Sequence, residues 1–234
     1  MSAVVFDGED IPLTIIRSAK RRKTIGLTVK ESGEVILRIP PHVTEEKAVS
    51  FAQSKAEWIV RHRLKFQSRK RVERHYAEGE TIPFFGRELT IRRIEGDKVK
   101  AEISDGELLL TGPAGTEADV FREAVIFLFR REGLKHLRPI VSEVAKSAGV
   151  EPPMLRVREQ QRKWGCCTPK NGIILNVRLL LAPEPVIRYL VVHEVAHLEH
   201  RHHQDSFWAE VERLMPEFQD AERILKEQGW MWVF

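Results

Sequence analysis

The 234-residue chain has almost no cysteine: there are two, and they are neighbours, Cys166 and Cys167. Adjacent Cα atoms lie about 3.8 Å apart, closer than an ordinary disulfide requires. No disulfide framework is therefore expected, and a reducing, cytoplasmic setting follows. No uncharged apolar run approaches the roughly 18 residues of a membrane helix, so no membrane partner is expected. The N-terminus has no basic segment followed by an apolar one, which predicts no signal peptide. Nor does one sign of charge dominate: 38 Lys and Arg stand against 34 Asp and Glu, a net charge of +4. That permits an acidic partner without demanding one. What is present is ordinary globular chemistry, 42% hydrophobic and 31% charged, which excludes a disordered chain, a collagen and a coiled-coil rod.

The first 40 residues read as strands: Ile11–Ile16, Ile25–Val29 and Val35–Ile39, stopped by Pro40-Pro41. Thr44 can cap a helix running from Glu45 to about Phe66. Residues 67–76 are polar and basic, a connector. The pattern then recurs. Strands at Thr81–Phe85, Leu89–Ile94, Val99–Ile103 and Glu107–Thr111 end at Gly112-Pro113, and Thr116 precedes a helix to about Leu137. Strands, a proline stop, a Thr cap and a helix thus occur twice, 72 residues apart if Thr44 is matched to Thr116. A further helix is expected from about Pro139 to Ala148, closed by Gly149. Strands follow at Met154–Arg158 and Ile173–Val177, then a helix opened by Pro183 and Pro185. A last helix spans about Ser206 to Glu227, broken at Pro216. The expected division is residues 1–76, a β-meander plus helix, and residues 77–234, with the chemistry concentrated in about 150–234.

Nine histidines are present, and five of them fall between His193 and His203. Within that cluster lies His193-Glu194-Val195-Ala196-His197. Residues four apart on a helix lie about 40° apart in azimuth and about 6 Å apart in rise. Two such imidazoles can close on one Zn²⁺ at about 2.0–2.1 Å. Glu194 rotates out of the ligand line and reaches a metal-bound water, the general-base position. A solvated helix would carry charge among the wildcards; here Val195-Ala196 lies between the histidines and Leu190-Val191-Val192 before them. The helix therefore packs its back in the core and turns His193, Glu194 and His197 to a cleft.

A third ligand is required. On an unbroken helix His200 would stand about 10.5 Å above His193, stretched for one tetrahedral ion. His203 can return only if the helix ends near Leu198–Arg201 and the chain turns. Glu210 or Glu212 is the other zincin option, and His200 and His202 remain candidates. Geometry favours His203.

The segment HEVAHLEHRHHQDSFW resembles the active-site signature of the YgjP-like metallopeptidases, which are related to the WLM and SprT/Spartan-type proteases. His203, then Gln204-Asp205-Ser206, then Phe207-Trp208 fill the family's places. The block KWGCCTPKNGIILNVRLLLAP is similar to the family's upstream pattern, with Lys163 for the usual Arg, Cys166 for a Ser and Cys167 in the Cys place. The resemblance implies an α+β protein with a zincin-like core at the C-terminus and a β-rich N-terminal region packed with helices. It further implies a zinc metallopeptidase acting on peptides or proteins, with His193, His197 and His203 as ligands and Glu194 as catalytic residue.

Phe207 and Trp208 read as core beneath the metal turn, and the vicinal cysteines as small buried turn residues. Tyr189, one turn before His193, reads as core or as a support for the ligand. The strand Ile173–Val177 is expected beside the cleft, pairing with substrate and bringing Asn176 near the site. Residues 17–23 and 61–74 hold Arg17, Lys20, Arg21, Arg22, Lys23, Arg61, Arg63, Lys65, Arg69, Lys70, Arg71 and Arg74. Few aromatics interleave them, so a solvated face is the first reading. The second is that they track phosphates, weak nucleic-acid binding by a metal-binding protein, or, as the resemblance to Spartan-type proteases implies, by a protease acting on DNA-bound proteins. For the metal motif itself, a zinc hydrolase acting on a non-peptide amide stands as a rival to the peptidase.

Overall fold

The computed structural model describes residues 2–30, 32–67 and 72–234. The chain divides into two compact units, Met1–Arg71 and Val72–Phe234.

The first unit holds β1 (Ala3–Phe6), β2 (Glu9–Arg17), β3 (Gly26–Val29) and β4 (Val35–Ile39), followed by α1 (Glu45–Gln53) and α2 (Ala56–Gln67). Its sheet order is β1-β2-β4-β3, with β2 and β4 parallel and the outer pairs antiparallel. Val35, Leu37 and Ile39 face Ala48, Ala52 and Ile59 in one apolar core. The single helix expected here breaks at Ser54, whose hydroxyl turns back to the Phe51 carbonyl, the usual way a short hydroxyl competes with helix continuation. Thr44 does cap α1, accepting from the Lys47 N–H.

The second unit opens with β5 (Thr81–Phe84), β6 (Arg87–Glu95), β7 (Lys100–Ser104) and β8 (Glu107–Gly112). The order is β5-β6-β8-β7 with the same senses as before. The hairpin turns also repeat: Asp7-Gly8 and Phe85-Gly86 each carry two positive φ angles, the conformation a two-residue hairpin demands. Of the expected connector, Ser68 to Arg71 lie outside the described residues, and Tyr76 is buried in the core of this unit.

The helix that follows is α3 (Ala118–Ala148), one helix of 31 residues where two were expected. Pro139 removes one hydrogen bond and would ordinarily kink or end it. Here the ring lies on the exposed side, while Leu137, Val141, Val144 and Ala145 bury the opposite face, and that packing outweighs the loss. Thr116 does not cap α3. Its hydroxyl turns back to the Pro113 carbonyl, and Glu117 holds the cap position.

Strands β9 (Leu155–Arg158), β10 (Gly165–Cys167) and β11 (Ile173–Asn176) form a small mixed sheet in the order β10-β11-β9. Then come a 3-10 turn at Val177–Leu181, α4 (Glu184–Ala196), α5 (Asp205–Leu214) and α6 (Phe218–Gln228). Helices α3 and α4 pack on each other, and α4 also meets α5, α6 and β10. The protein is thus a mixed helix-and-sheet structure, with α4 buried at the centre of the second unit. No helix among the described residues is long and apolar enough to cross a membrane.

Candidate metal centre

Helix α4 is apolar almost all round: Val186, Ile187, Leu190, Val191, Val192, Val195 and Ala196 are buried. That leaves His193, Glu194 and His197 to face a cavity along its remaining side. The helix ends at Ala196, and His197 is its C-cap. The chain then turns through 198–204, and α5 begins at Asp205.

This turn returns His203. The Nε2 atoms of His203 and His197 lie 3.1 Å apart, and those of His203 and His193 lie 3.2 Å apart. The ligating atoms of His193, His197 and His203 all fall within 4.8 Å of one another, so the triad can hold a divalent cation. His200, His202, Glu210 and Glu212 stand outside the cluster. Glu210 is paired with Arg213 instead. His200 contributes its backbone: its carbonyl accepts from His197 Nδ1 at 2.8 Å. That bond places the His197 proton on Nδ1 and leaves the Nε2 lone pair facing inward.

Phe207 is fully buried and forms the floor. Its ring stacks on His197 at 4.5 Å and meets His193 and His203 edge-on at 4.9 and 4.8 Å. Trp208 and Phe218 stack behind it at 5.7 Å. Dry surroundings disfavour the imidazolium, and burial, reinforced by His197 and His203, pushes His193 down to about 4. His197 is lowered as well, chiefly by burial. These histidines are held as neutral donors.

Glu194 is buried and lines the same cavity. Burial pushes its pKa up to about 7, against a hydrogen bond from the Cys167 N–H and the charge of Lys163. Its Oε2 finds no hydrogen-bond partner in the protein. Gly165 makes room for it: a Cβ there would sit 2.6 Å from Glu194 Oε1. A cavity of about 430 Å³ opens over these groups, lined by Lys163, Gly165, Cys166, Cys167 and Arg201 with the triad and Glu194.

The strand expected beside the cleft requires correction. β11 is the middle strand, paired with both β10 and β9, so its backbone has no free edge. The edge strand at the cleft is β10, which sequence reading missed because it is three residues of Gly and Cys with little strand propensity. Asn176 is not at the cleft either. Its side-chain NH₂ donates to the Gln160 and Lys163 carbonyls, both at 2.6 Å, pinning the loop that leads into β10. The cysteines are half-buried on that strand rather than on a turn, and both thiols are free. Tyr189 packs edge-on to His193 at 5.9 Å, and its hydroxyl is hydrogen-bonded to Glu222.

Several of the basic residues have partners in the structure. Arg17 donates to the Pro41 and Val43 carbonyls and Arg74 to the Val233 and Thr81 carbonyls, and Arg61 pairs with Glu57. Arg69, Lys70 and Arg71 lie outside the described residues.

No curated protein matches the chain. Among solved structures, the zymogen of abylysin, a metallopeptidase of Pyrococcus abyssi, is similar at 24% identity and a TM-score of 0.36, covering 39% of this chain and 93% of that one. The sequence also matches the YgjP-like family, in its metallopeptidase domain, over residues 23–228. The chain belongs to the YgjP-like metallopeptidase family.

Proposed function

We propose that the protein is a zinc-dependent peptidase in which His193, His197 and His203 hold the metal and Glu194 is the general base, within a zincin-like core formed by α4, β10 and α5. The observation that carries this reading is the meeting of three Nε2 atoms around one point. A tetrahedral ion with bonds of about 2.0–2.1 Å separates its ligands by about 3.3–3.4 Å, close to the 3.1 and 3.2 Å contacts of His203. His203 Nε2 faces two other Nε2 atoms, and one proton could satisfy only one of those contacts. A cation satisfies all three, and a set of neutral imidazoles suits zinc.

When bound, zinc supplies a Lewis-acidic centre that makes a water nucleophilic near neutral pH and polarises the scissile carbonyl. Glu194 does the proton work. Its unpaired Oε2 is free to take a proton from water and deliver it to the leaving amine. Phe207 keeps the floor dry. Strand β10 offers the substrate an edge: the pairs Trp164–Asn176 and Thr168–Gly172 are bonded inward, so Gly165 and Cys167 turn their backbone groups away from β11. The Cys167 N–H is given to Glu194, and the Gly165 groups and the Cys167 carbonyl remain for an extended peptide.

Glu194→Gln is the test. It removes the base without removing a ligand, so peptide hydrolysis should fall at least 10³-fold while zinc content stays at about one per chain. Loss of zinc together with activity would make Glu194 a ligand, and unchanged activity would remove it from the mechanism.

A further inference from the structure

Strand β10 is three residues long, and a cation stands at each of its ends. Lys163 lies two residues before Gly165 and lines the cleft. Arg201, from the turn after α4, lines it at the other end. Its guanidinium donates to the Thr168 carbonyl at 3.0 Å, to Cys167 Sγ at 3.5 Å and to the Asn171 side-chain oxygen. None of those acceptors is a carboxylate, so the Arg201 charge is held in place and not neutralised. Neither Lys163 nor Arg201 forms an ion pair among the described residues, and the only carboxylate lining the cavity is Glu194 itself.

From Lys163 to Thr168 the chain advances five residues, about 17 Å at strand rise. A peptide laid along β10 would therefore pass one cation on each side of the metal, about two residues from the scissile bond. A lysine or arginine at those positions would meet a like charge at both ends, and a carboxylate would meet an opposite one.

We infer that the cleft selects peptides carrying acidic residues on both sides of the scissile bond, with Lys163 and Arg201 as the specificity-determining residues. This rests on the peptidase reading above. Arg201 acts through a fixed guanidinium and Lys163 through a mobile ammonium, so the arm at Arg201 should be the more position-specific.

The experiment uses three quenched peptides with one scissile centre and Glu, Gln or Lys at the second position on each side. With the zinc-loaded full chain, kcat/KM should follow Glu above Gln above Lys. About tenfold should separate Glu from Lys, the sum of two exposed ion pairs, and the gap should shrink as salt rises from about 0.05 to 0.5 M. Lys163→Glu should flatten the ranking of these symmetric peptides, because the reversed arm then offsets the one at Arg201, while zinc content stays whole. Binding of the same peptides to the inactive Glu194→Gln protein, followed by fluorescence anisotropy, should rank them the same way without turnover. Equal rates and equal binding overturn the acidic preference and leave the peptidase reading standing. Ranked binding with no cleavage of any peptide by the wild type overturns the peptidase reading and keeps the cationic cleft. An unchanged preference in Lys163→Glu removes Lys163 from the proposal.

Discussion

The two units begin alike and end differently. Each starts with a four-stranded sheet of the same order and the same senses. In the first, the sheet is closed by two short helices, α1 and α2, that bury little beyond alanines and Ile59. In the second, the sheet is followed by the 31-residue α3, which buries Phe121, Phe129, Leu137, Val141 and Val144 along its length and packs against α4. The charge differs as well. Residues 1–71 carry 15 Lys and Arg against 8 Asp and Glu, and residues 72–234 carry 23 against 26. A repeated sheet is therefore not what makes the site. What makes it is a helix long enough to support a second, buried helix, whose polar residues are then confined to one cleft.

Cavities placed in the two cores should separate those roles most strongly. Leu37→Ala in the first and Leu190→Ala on α4 each remove a buried leucine and should each cost about 3 kcal/mol. Only Leu190→Ala should weaken zinc binding. Thermal unfolding combined with metal analysis reads both, and equal metal loss in Leu37→Ala would mean that the first unit helps to build the site.

Gly165→Ala comes next. The added Cβ would sit 2.6 Å from Glu194 Oε1, so the Glu194 side chain must shift from its place. Activity should fall about 10²-fold with zinc retained, since a small displacement of a positioned group has an effect of that order. The matched change Gly8→Ala, at a hairpin turn of the first unit, should cost only backbone strain and leave kcat/KM unchanged.

A further effect is expected from pH. In the metal-free protein Glu194 is raised from 4.5 to about 7, so it holds its proton more tightly folded than unfolded. Its contribution to stability is lost as pH rises across that window. His193 has the opposite sign: lowered from 6.5 to about 4, it adds stability as pH rises over nearly the same range. The two slopes oppose in the wild type. Metal-free Glu194→Gln should therefore gain stability relative to the wild type as pH rises from 4.5 to about 7, with a slope of about 1.4 kcal/mol per pH unit. Parallel stability curves would contradict the buried, uncompensated Glu194.

Much of this was legible in the sequence. Glycine and proline punctuation marked the strands of both sheets, because a left-handed turn leaves few residue choices. The run His193 to His197 reveals itself by apolar wildcards, and the polar stretch after Leu198 signals the turn that brings His203 back. Other features were hidden for physical reasons. β1 and β10 are too short to show a period. The continuity of α3 through Pro139 depends on which face of the helix is buried. That β11 is interior and β10 the edge is a fact of pairing, and it commits the Asn176 side chain to the loop leading into β10 rather than to the cleft. Arg201 reads as one charge in a polar stretch until its grip on Thr168 is visible.

The difference between the units comes down to whether the turn after α4 completes a metal site. Zinc analysis of the wild type, His200→Ala and His203→Ala, purified side by side, tests this directly. The wild type and His200→Ala should each hold about one zinc per chain, because His200 contributes only its carbonyl, while His203→Ala should lose zinc affinity by orders of magnitude. Full zinc in His203→Ala, or its loss in His200→Ala alone, would contradict the three-histidine centre.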